Sequence, residues 1–251
     1  MSQPLLSLSD VAVAFGALRA VDGVTLSIPA GQRRAIIGPN GAGKTTLFNA
    51  IAGVIPPTEG RVVFNGTDMT SFPTHRRAAL GIARTFQITN LFPQLTVEEN
   101  VRLAVRGLSG RKYSLVGAGS PDVHEREAIE RALDNAQLGA RQHELTRTLS
   151  YGEQRQLEMA MALVQAPRLL LLDEPAAGLS PAERVRMGDV IRKLPRDLTL
   201  ILIEHDMDLA LGLVDHVSCL HFGKVLVEGT PDEIRTNERV QEVYLGKPHH
   251  A

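Results

Sequence analysis

An α/β fold with a parallel-sheet core, a small antiparallel sheet near the N-terminus and an inserted helical block is predicted by three observations. Residues 38–45 read Gly-Pro-Asn-Gly-Ala-Gly-Lys-Thr, between a strand-like Arg34-Ala35-Ile36-Ile37 and a helix-like run from Thr45 to Ala52. A glycine-rich phosphate loop needs that strand–loop–helix setting. Leu169–Leu172 and Leu198–Ile203 are apolar without alternation, the pattern of central parallel strands covered on both faces. Finally, the stretch between Lys44 and Asp173 takes up about half of the chain, more than a plain phosphate-loop core requires.

The elements follow in order. Leu5–Phe15 and Val24–Ile28 read as strands, followed by a Pro29-Ala30-Gly31 turn. After the loop and its helix, Pro56-Pro57-Thr58-Glu59-Gly60 breaks the chain before a strand Arg61-Val62-Val63-Phe64 and an Asn65-Gly66 turn. These strands make up the small antiparallel sheet. From Thr96 to Val164 the pattern is mostly helical, with Asp122–Asn135 amphipathic and a Gly/Ser-rich stretch, Gly107–Ser120, expected as a mobile loop. Ser180 as N-cap with Pro181 behind it opens a crossover helix to Leu194. We see no internal repeat.

Composition narrows the function classes. A formal net charge of −1 gives no electrostatic footprint for nucleic acid, and the absence of Trp with only 3 Tyr argues against a base-stacking surface. The single Cys219 excludes an internal disulfide, suits a reducing compartment, and reads as a small buried hydrophobe in the strand-like Val217–Phe222. No apolar run is long enough to cross a bilayer, and Met1–Leu6 lacks the basic and apolar regions of a secretory signal. A soluble cytoplasmic protein is expected, with any membrane role exercised through partners.

The loop's chemistry is explicit. Its glycines let successive backbone N–H groups face a phosphate, and the following helix N-terminus adds positive potential. Asn40, Gly41, Ala42, Gly43, Lys44, Thr45 and Thr46 are therefore candidate nucleotide contacts, with Lys44 reaching the β/γ-phosphates and the Thr45 hydroxyl ligating Mg²⁺. The apolar strand Leu169–Leu172 ends in Asp173-Glu174, and ligands of open parallel sheets sit at the carboxyl ends of strands. Asp173 is placed to hold Mg²⁺, and Glu174 to deprotonate the water attacking a γ-phosphate. The next strand ends in Glu204-His205-Asp206, which puts His205 at the same edge as a γ-phosphate contact. The other histidines, among them His75, His216, His249 and His250, read as surface residues without zinc-site spacing.

With Leu149-Ser150-Tyr151-Gly152-Glu153-Gln154, Arg84-Thr85-Phe86-Gln87 and Asp173-Glu174-Pro175 added, nearly the whole chain resembles the ATPase subunit of an ATP-binding cassette (ABC) transporter. The resemblance implies a P-loop NTPase core with a parallel sheet and a small antiparallel β-subdomain (about 1–86 and 165–251), plus an inserted helical subdomain (about 88–164), all in one nucleotide-binding domain, 1–251. It implies ATP and Mg²⁺ as cofactors and ATP hydrolysis as the activity. Phe15 takes the position that stacks on adenine, its alternative being a core aromatic in a strand. Gln87 takes the place of a residue touching Mg²⁺ and the lytic water. Ser150 and Gly152 match the signature segment that meets the γ-phosphate held by a second protomer, and Ala177-Gly178-Leu179-Ser180 the loop that contacts that protomer. Three departures stand out: Tyr151 replaces a glycine, and Glu153 a glutamine, of the usual Leu-Ser-Gly-Gly-Gln, and Met161 stands where an arginine is common.

Phe15–Val24, Gly81–Gln87, Leu149–Gly152, Ile203–Met207, Val227–Ile234 and Tyr244-Leu245-Gly246 are similar to the ATPases of branched-chain (hydrophobic) amino acid importers. Such systems pair a second, homologous ATPase with two membrane permeases and a periplasmic binding protein, which places this chain on the inner face of the cell membrane. Related importers of urea, short amides or aromatic acids share the build, and a lipopolysaccharide exporter ATPase is close in core motifs. A ribosome- or DNA-acting cassette is disfavoured, since the chain has neither a second cassette nor a long coiled coil. Ile88–Val101 is the candidate groove for a permease helix, with Leu91, Phe92 and Leu95 as its apolar floor or simply as core.

Overall fold

The computed structural model describes residues 3–85, 91–108 and 123–245. Gln87 and nearly all of the Gly107–Ser120 stretch lie outside the described residues. The chain opens with a hairpin, β1 (Leu6–Phe15) and β2 (Leu18–Ile28), then enters β3 (Arg33–Ile37), the phosphate loop and α1 (Lys44–Ala52). Strands β4 (Glu59–Phe64) and β5 (Thr67–Asp68) precede α2 (Thr74–Ala79) and the short β6 (Ile82–Arg84). The helical block comprises α3 (Val97–Leu108), α4 (Val123–Asn135) and α5 (Tyr151–Leu163). Then come β7 (Leu169–Asp173), α6 (Pro181–Lys193), β8 (Thr199–Ile203), α7 (Met207–Leu211), β9 (His216–His221), β10 (Lys224–Gly229), α8 (Pro231–Thr236) and α9 (Glu238–Leu245).

Two sheets result: an antiparallel one in the order β2-β1-β4-β5, and a six-stranded one in the order β10-β9-β3-β8-β7-β6. In the larger sheet every pairing is parallel except β9–β10. The second strand starts at Leu18 rather than Val24, because Phe15 pairs directly with Leu18 across a Gly16-Ala17 turn. The exposed Leu18 and Arg19 hid that extension from a reading based on apolar runs. Short β6 was also not legible, having only three residues at a sheet edge.

The parallel register decides where the site falls. Ile36 pairs with Ile203, and Asp173 also pairs with Ile203. The carboxyl ends of β3, β7 and β8 are therefore level, and the residues that follow each strand emerge side by side. The sheet separates two cores. Leu170, Leu172, Leu200 and Leu202 face the helical block and α6, whereas Leu169, Leu171, Ile201 and Ile203 face α1 and the antiparallel sheet.

The far end of α1 is held by a buried cation. Arg77 donates to the carbonyls of Ala50 at 2.6 Å, Ile51 at 2.7 Å, Phe72 at 2.9 Å and Thr70 at 3.0 Å. Burial lowers its pKa to about 10, still charged at neutral pH. A cation on the last carbonyls of a helix opposes the negative end of its dipole, so the helix that carries the phosphate loop is clamped from behind.

Candidate nucleotide site at the carboxyl edge of the sheet

The phosphate loop leaves β3 at Gly38, whose φ is 147° and where a Cβ would lie 2.2 Å from the Leu220 carbonyl oxygen. Gly43, at φ 98°, would push a Cβ to 2.2 Å from the Ala20 carbonyl. Only glycine fits either backbone approach. Gly43 is also the N-cap of α1 and offers no side-chain acceptor there, which leaves the first amides of the helix open to an anion. Lys44 is buried; its ammonium donates to the Gly38 carbonyl at 2.7 Å and the Pro39 carbonyl at 3.0 Å. Burial pulls its pKa below the usual lysine value, while the Glu174 carboxylate pulls it the other way. The loop floors a cavity of about 520 Å³ that Phe15, Asn40, Gly41, Ala42, Gly43, Lys44, Thr45, Thr46, Glu174 and His205 line together. Phe15 stands at its rim 51 % exposed, so the alternative of a core aromatic does not hold.

Asp173 closes β7 fully buried. Its Oδ2 accepts from Arg84 at 2.7 Å, and Arg84 also donates to Asn49 Oδ1 on α1 at 2.7 Å. Its Oδ1 is buried with no hydrogen-bond partner among the described residues. A buried carboxylate oxygen without a donor costs of the order of 1–3 kcal/mol, and a hard cation beside the phosphates is what would occupy it. The donor set therefore fits Mg²⁺.

Glu174 follows at φ 50°, a left-handed conformation that costs a non-glycine residue about 1–2 kcal/mol. Its N–H extends the ladder by donating to the Ile203 carbonyl at 2.9 Å, and its Oε1 lies 2.7 Å from His205 Nε2. Buried Glu204 links the two strand ends: its Oε1 accepts from the Ala176 amide at 2.9 Å and its Oε2 from the His205 amide at 3.2 Å. Burial raises the Glu204 pKa.

Ser150 and Gly152 do not line this cavity. They form the N-terminus of α5, where Ser150 Oγ accepts from the Glu153 amide at 3.2 Å and Glu153 Oε2 accepts from the Ser150 amide at 2.8 Å. Glu153, a departure from the usual glutamine, is thus half of a reciprocal cap. The Gly152 amide donates to Glu183 Oε1 of α6 at 3.1 Å. The Tyr151 ring faces Gly178, where a Cβ would come within 3.3 Å of ring atom Cε1. A tyrosine is accommodated in the signature because its neighbour across the gap has no side chain.

Several features of the site were missed from sequence. Arg84 on Asp173 and Arg77 on α1 carry no local signal. Phe222, 79 % exposed at φ 46° on the same cavity rim as Phe15, is an unsignalled turn residue. Glu183 was recoverable, because Ser180-Pro181-Ala182-Glu183 spells a capping box, and the structure contains it.

A family model for the ABC transporter matches residues 21–177, and one for the branched-chain amino acid ATP-binding cassette transporter matches residues 224–250. The chain is 40 % identical to the high-affinity branched-chain amino acid transport ATP-binding protein BraF of Pseudomonas aeruginosa, covering 98 % of this chain and 100 % of that one. It is 39 % identical to LivG, of the same description, from Escherichia coli K12, with the same coverage. Among solved structures, the ADP conformation of an ATP-binding cassette of an ABC transporter superposes with a TM-score of 0.84 at 29 % identity, over 98 % of this chain and 100 % of that one. A fully shared length, a phosphate loop set at the carboxyl edge of a parallel sheet and an acidic pair beside it lead to one conclusion: the chain belongs to the ABC transporter family and is an ATP-hydrolysing cassette of it.

Proposed function

We propose that this cassette powers uptake of branched-chain or other hydrophobic amino acids, as one of two ATPase subunits on the cytoplasmic side of a membrane importer. The observation that carries the substrate class is the similarity to BraF and LivG along the whole chain, C-terminal segment included. Two permeases, a second cassette and a periplasmic binding protein complete the assembly. Among the described residues no helix is long and apolar enough to cross a membrane, so the permeases supply the crossing.

The cavity and its lining support a division of labour within this reading. ATP lies in the phosphate-loop cavity, with adenine on Phe15, its phosphates along Asn40–Thr46 and Lys44 withdrawn from the Gly38 and Pro39 carbonyls to meet them. Thr45 and Asp173, with Gln87 as the family resemblance implies, would hold Mg²⁺, which would supply charge neutralisation at the phosphates. Glu174 takes the proton of the attacking water, and His205 orients its carboxylate and contacts the γ-phosphate. Ser150 and Gly152, remote from this cavity in their own chain, meet the γ-phosphate of a head-to-tail partner, so hydrolysis removes the bridge and the pair reopens.

A second cavity, of about 450 Å³, lies between the parallel core and the helical block, lined mainly by apolar groups including Ala78, Ile82, Ala83, Leu91, Met161 and Ala162. It suits an apolar permease helix. Leu91 belongs to that lining, whereas Phe92 and Leu95 do not.

Purification of the tagged chain from native membranes in mild detergent, with mass spectrometry of what is retained, tests the reading. Two dissimilar permeases and a second cassette are expected, together with a binding protein that takes up leucine, isoleucine or valine. Exporter permeases, or a binding protein that responds to urea or aromatic acids instead, would overturn it.

A further inference from the structure

The C-terminal helix reaches back to the nucleotide site. On α9, Val240 is buried in the core that backs α6 and β9, and its amide donates to Asn237 Oδ1 at 3.3 Å. One turn later, Tyr244 falls on the same face. The backbone N–H of Gly38, the first residue of the phosphate loop, donates to the Tyr244 hydroxyl at 2.6 Å. Burial pushes that phenol's pKa up to about 12, so at neutral pH the acceptor is the neutral hydroxyl oxygen.

The contact has a consequence for the loop because of what holds the other side of the same residue. Gly38 offers its carbonyl to the Lys44 ammonium. With Lys44 drawn to phosphate, that second tie is released and the Tyr244 hydroxyl remains. Gly38 has no side chain with which to brace itself, and the Leu220 carbonyl leaves no room for one. Its position then depends on a residue 206 places further along the chain.

We propose that Tyr244 is a positioning residue of the nucleotide site: its hydroxyl fixes Gly38 so that the phosphate loop is preformed for ATP, and α9 is the strap that delivers it. The strap lies within the C-terminal segment covered by the branched-chain family model. The inference requires only that the phosphate loop binds nucleotide; the transported substrate does not enter it.

Tyr244→Phe removes one oxygen and keeps the packed ring. Titration of the full chain with ATP and with ADP is expected to show affinity weakened about three- to tenfold, the range one net hydrogen bond supports. Hydrogen exchange at the Gly38 amide should accelerate, while kcat at saturating ATP stays within about twofold. A role confined to packing would leave both the Gly38 exchange and the affinity unchanged, and that result overturns the proposal. Weakened affinity with unaltered exchange at Gly38 also overturns it, since the hydroxyl would then act elsewhere. Lys44→Ala serves as the control: if it too left nucleotide binding intact, the loop itself would be the wrong site.

Discussion

Glu174 Oε1 and His205 Nε2 stand 2.7 Å apart across the ends of two paired strands. Behind the pair, Glu204 ties the two strand ends together, its two oxygens accepting from the Ala176 and His205 amides. Glu174→Gln keeps the side-chain shape and the position opposite His205 but cannot take a proton. Turnover is expected to fall on the order of 100-fold or more while ATP binding persists, leaving an ATP-bound dimer. Steady-state hydrolysis with size-exclusion chromatography checks this; undiminished turnover would remove Glu174 from the role of base.

Lys44→Ala removes the ammonium that, among the described residues, donates to the loop carbonyls at the cavity. ATP affinity should drop by at least about tenfold, in line with the loss of a charge-assisted contact. Because burial already disfavours the charged lysine, apo stability should change much less than affinity. Calorimetric titration and thermal melting of one preparation separate the two.

Ser150→Arg places a long cation where the N-cap hydroxyl sits. Since Ser150 lies outside the cavity of its own chain, monomer ATP binding is expected to survive. Cooperative hydrolysis should be abolished. Loss of monomer binding would mean that the serine acts in cis.

Arg77→Ala leaves four carbonyls on and near the end of α1 without their donor. The cost should reach about 3 kcal/mol or more, which for a chain of this length lowers Tm by roughly 6–12 °C. Chemical denaturation reads the first figure and a thermal melt the second.

Burial pushes the Cys219 thiol up to about 11, with Lys44 pulling weakly downward. In the folded chain the thiolate, the only reactive form, is therefore scarce at pH 8. Alkylation at that pH should be negligible until the protein unfolds, then fast. The folded state also holds this proton over a range where the unfolded state releases it, so the thiol's contribution to stability is present below its unfolded pKa and is lost as pH rises toward 11. Cys219→Ala should flatten that alkaline decline; an equally steep decline in the variant would assign it to other groups.

The motifs legible in the sequence were those written contiguously. The phosphate loop, Asp173-Glu174, the Leu149–Gly152 signature and the cap at Ser180 each depend on neighbours within a few residues, so their spacing carries their geometry. Arg84 on Asp173, Arg77 on Ala50 and Ile51, and Tyr244 on Gly38 depend on the tertiary path. An arginine destined for burial looks locally like one destined for solvent, and nothing near Tyr244 marks it as facing Gly38. The extent of β2 was missed for a related reason: its first residues are exposed, and pairing with β1, not burial, makes them a strand.

The four leucines of β7 alternate between the two cores, Leu169 and Leu171 to one, Leu170 and Leu172 to the other. Side-chain volume therefore has little room to change in this strand. A change of volume at any one of the four displaces a different layer, and a repair made in one layer does nothing for the other. Asp173 stands at the end of that strand and inherits the constraint. The acid can drift only if two independently packed interiors drift together, so the carboxylate of Asp173 is held in place from both faces of the sheet.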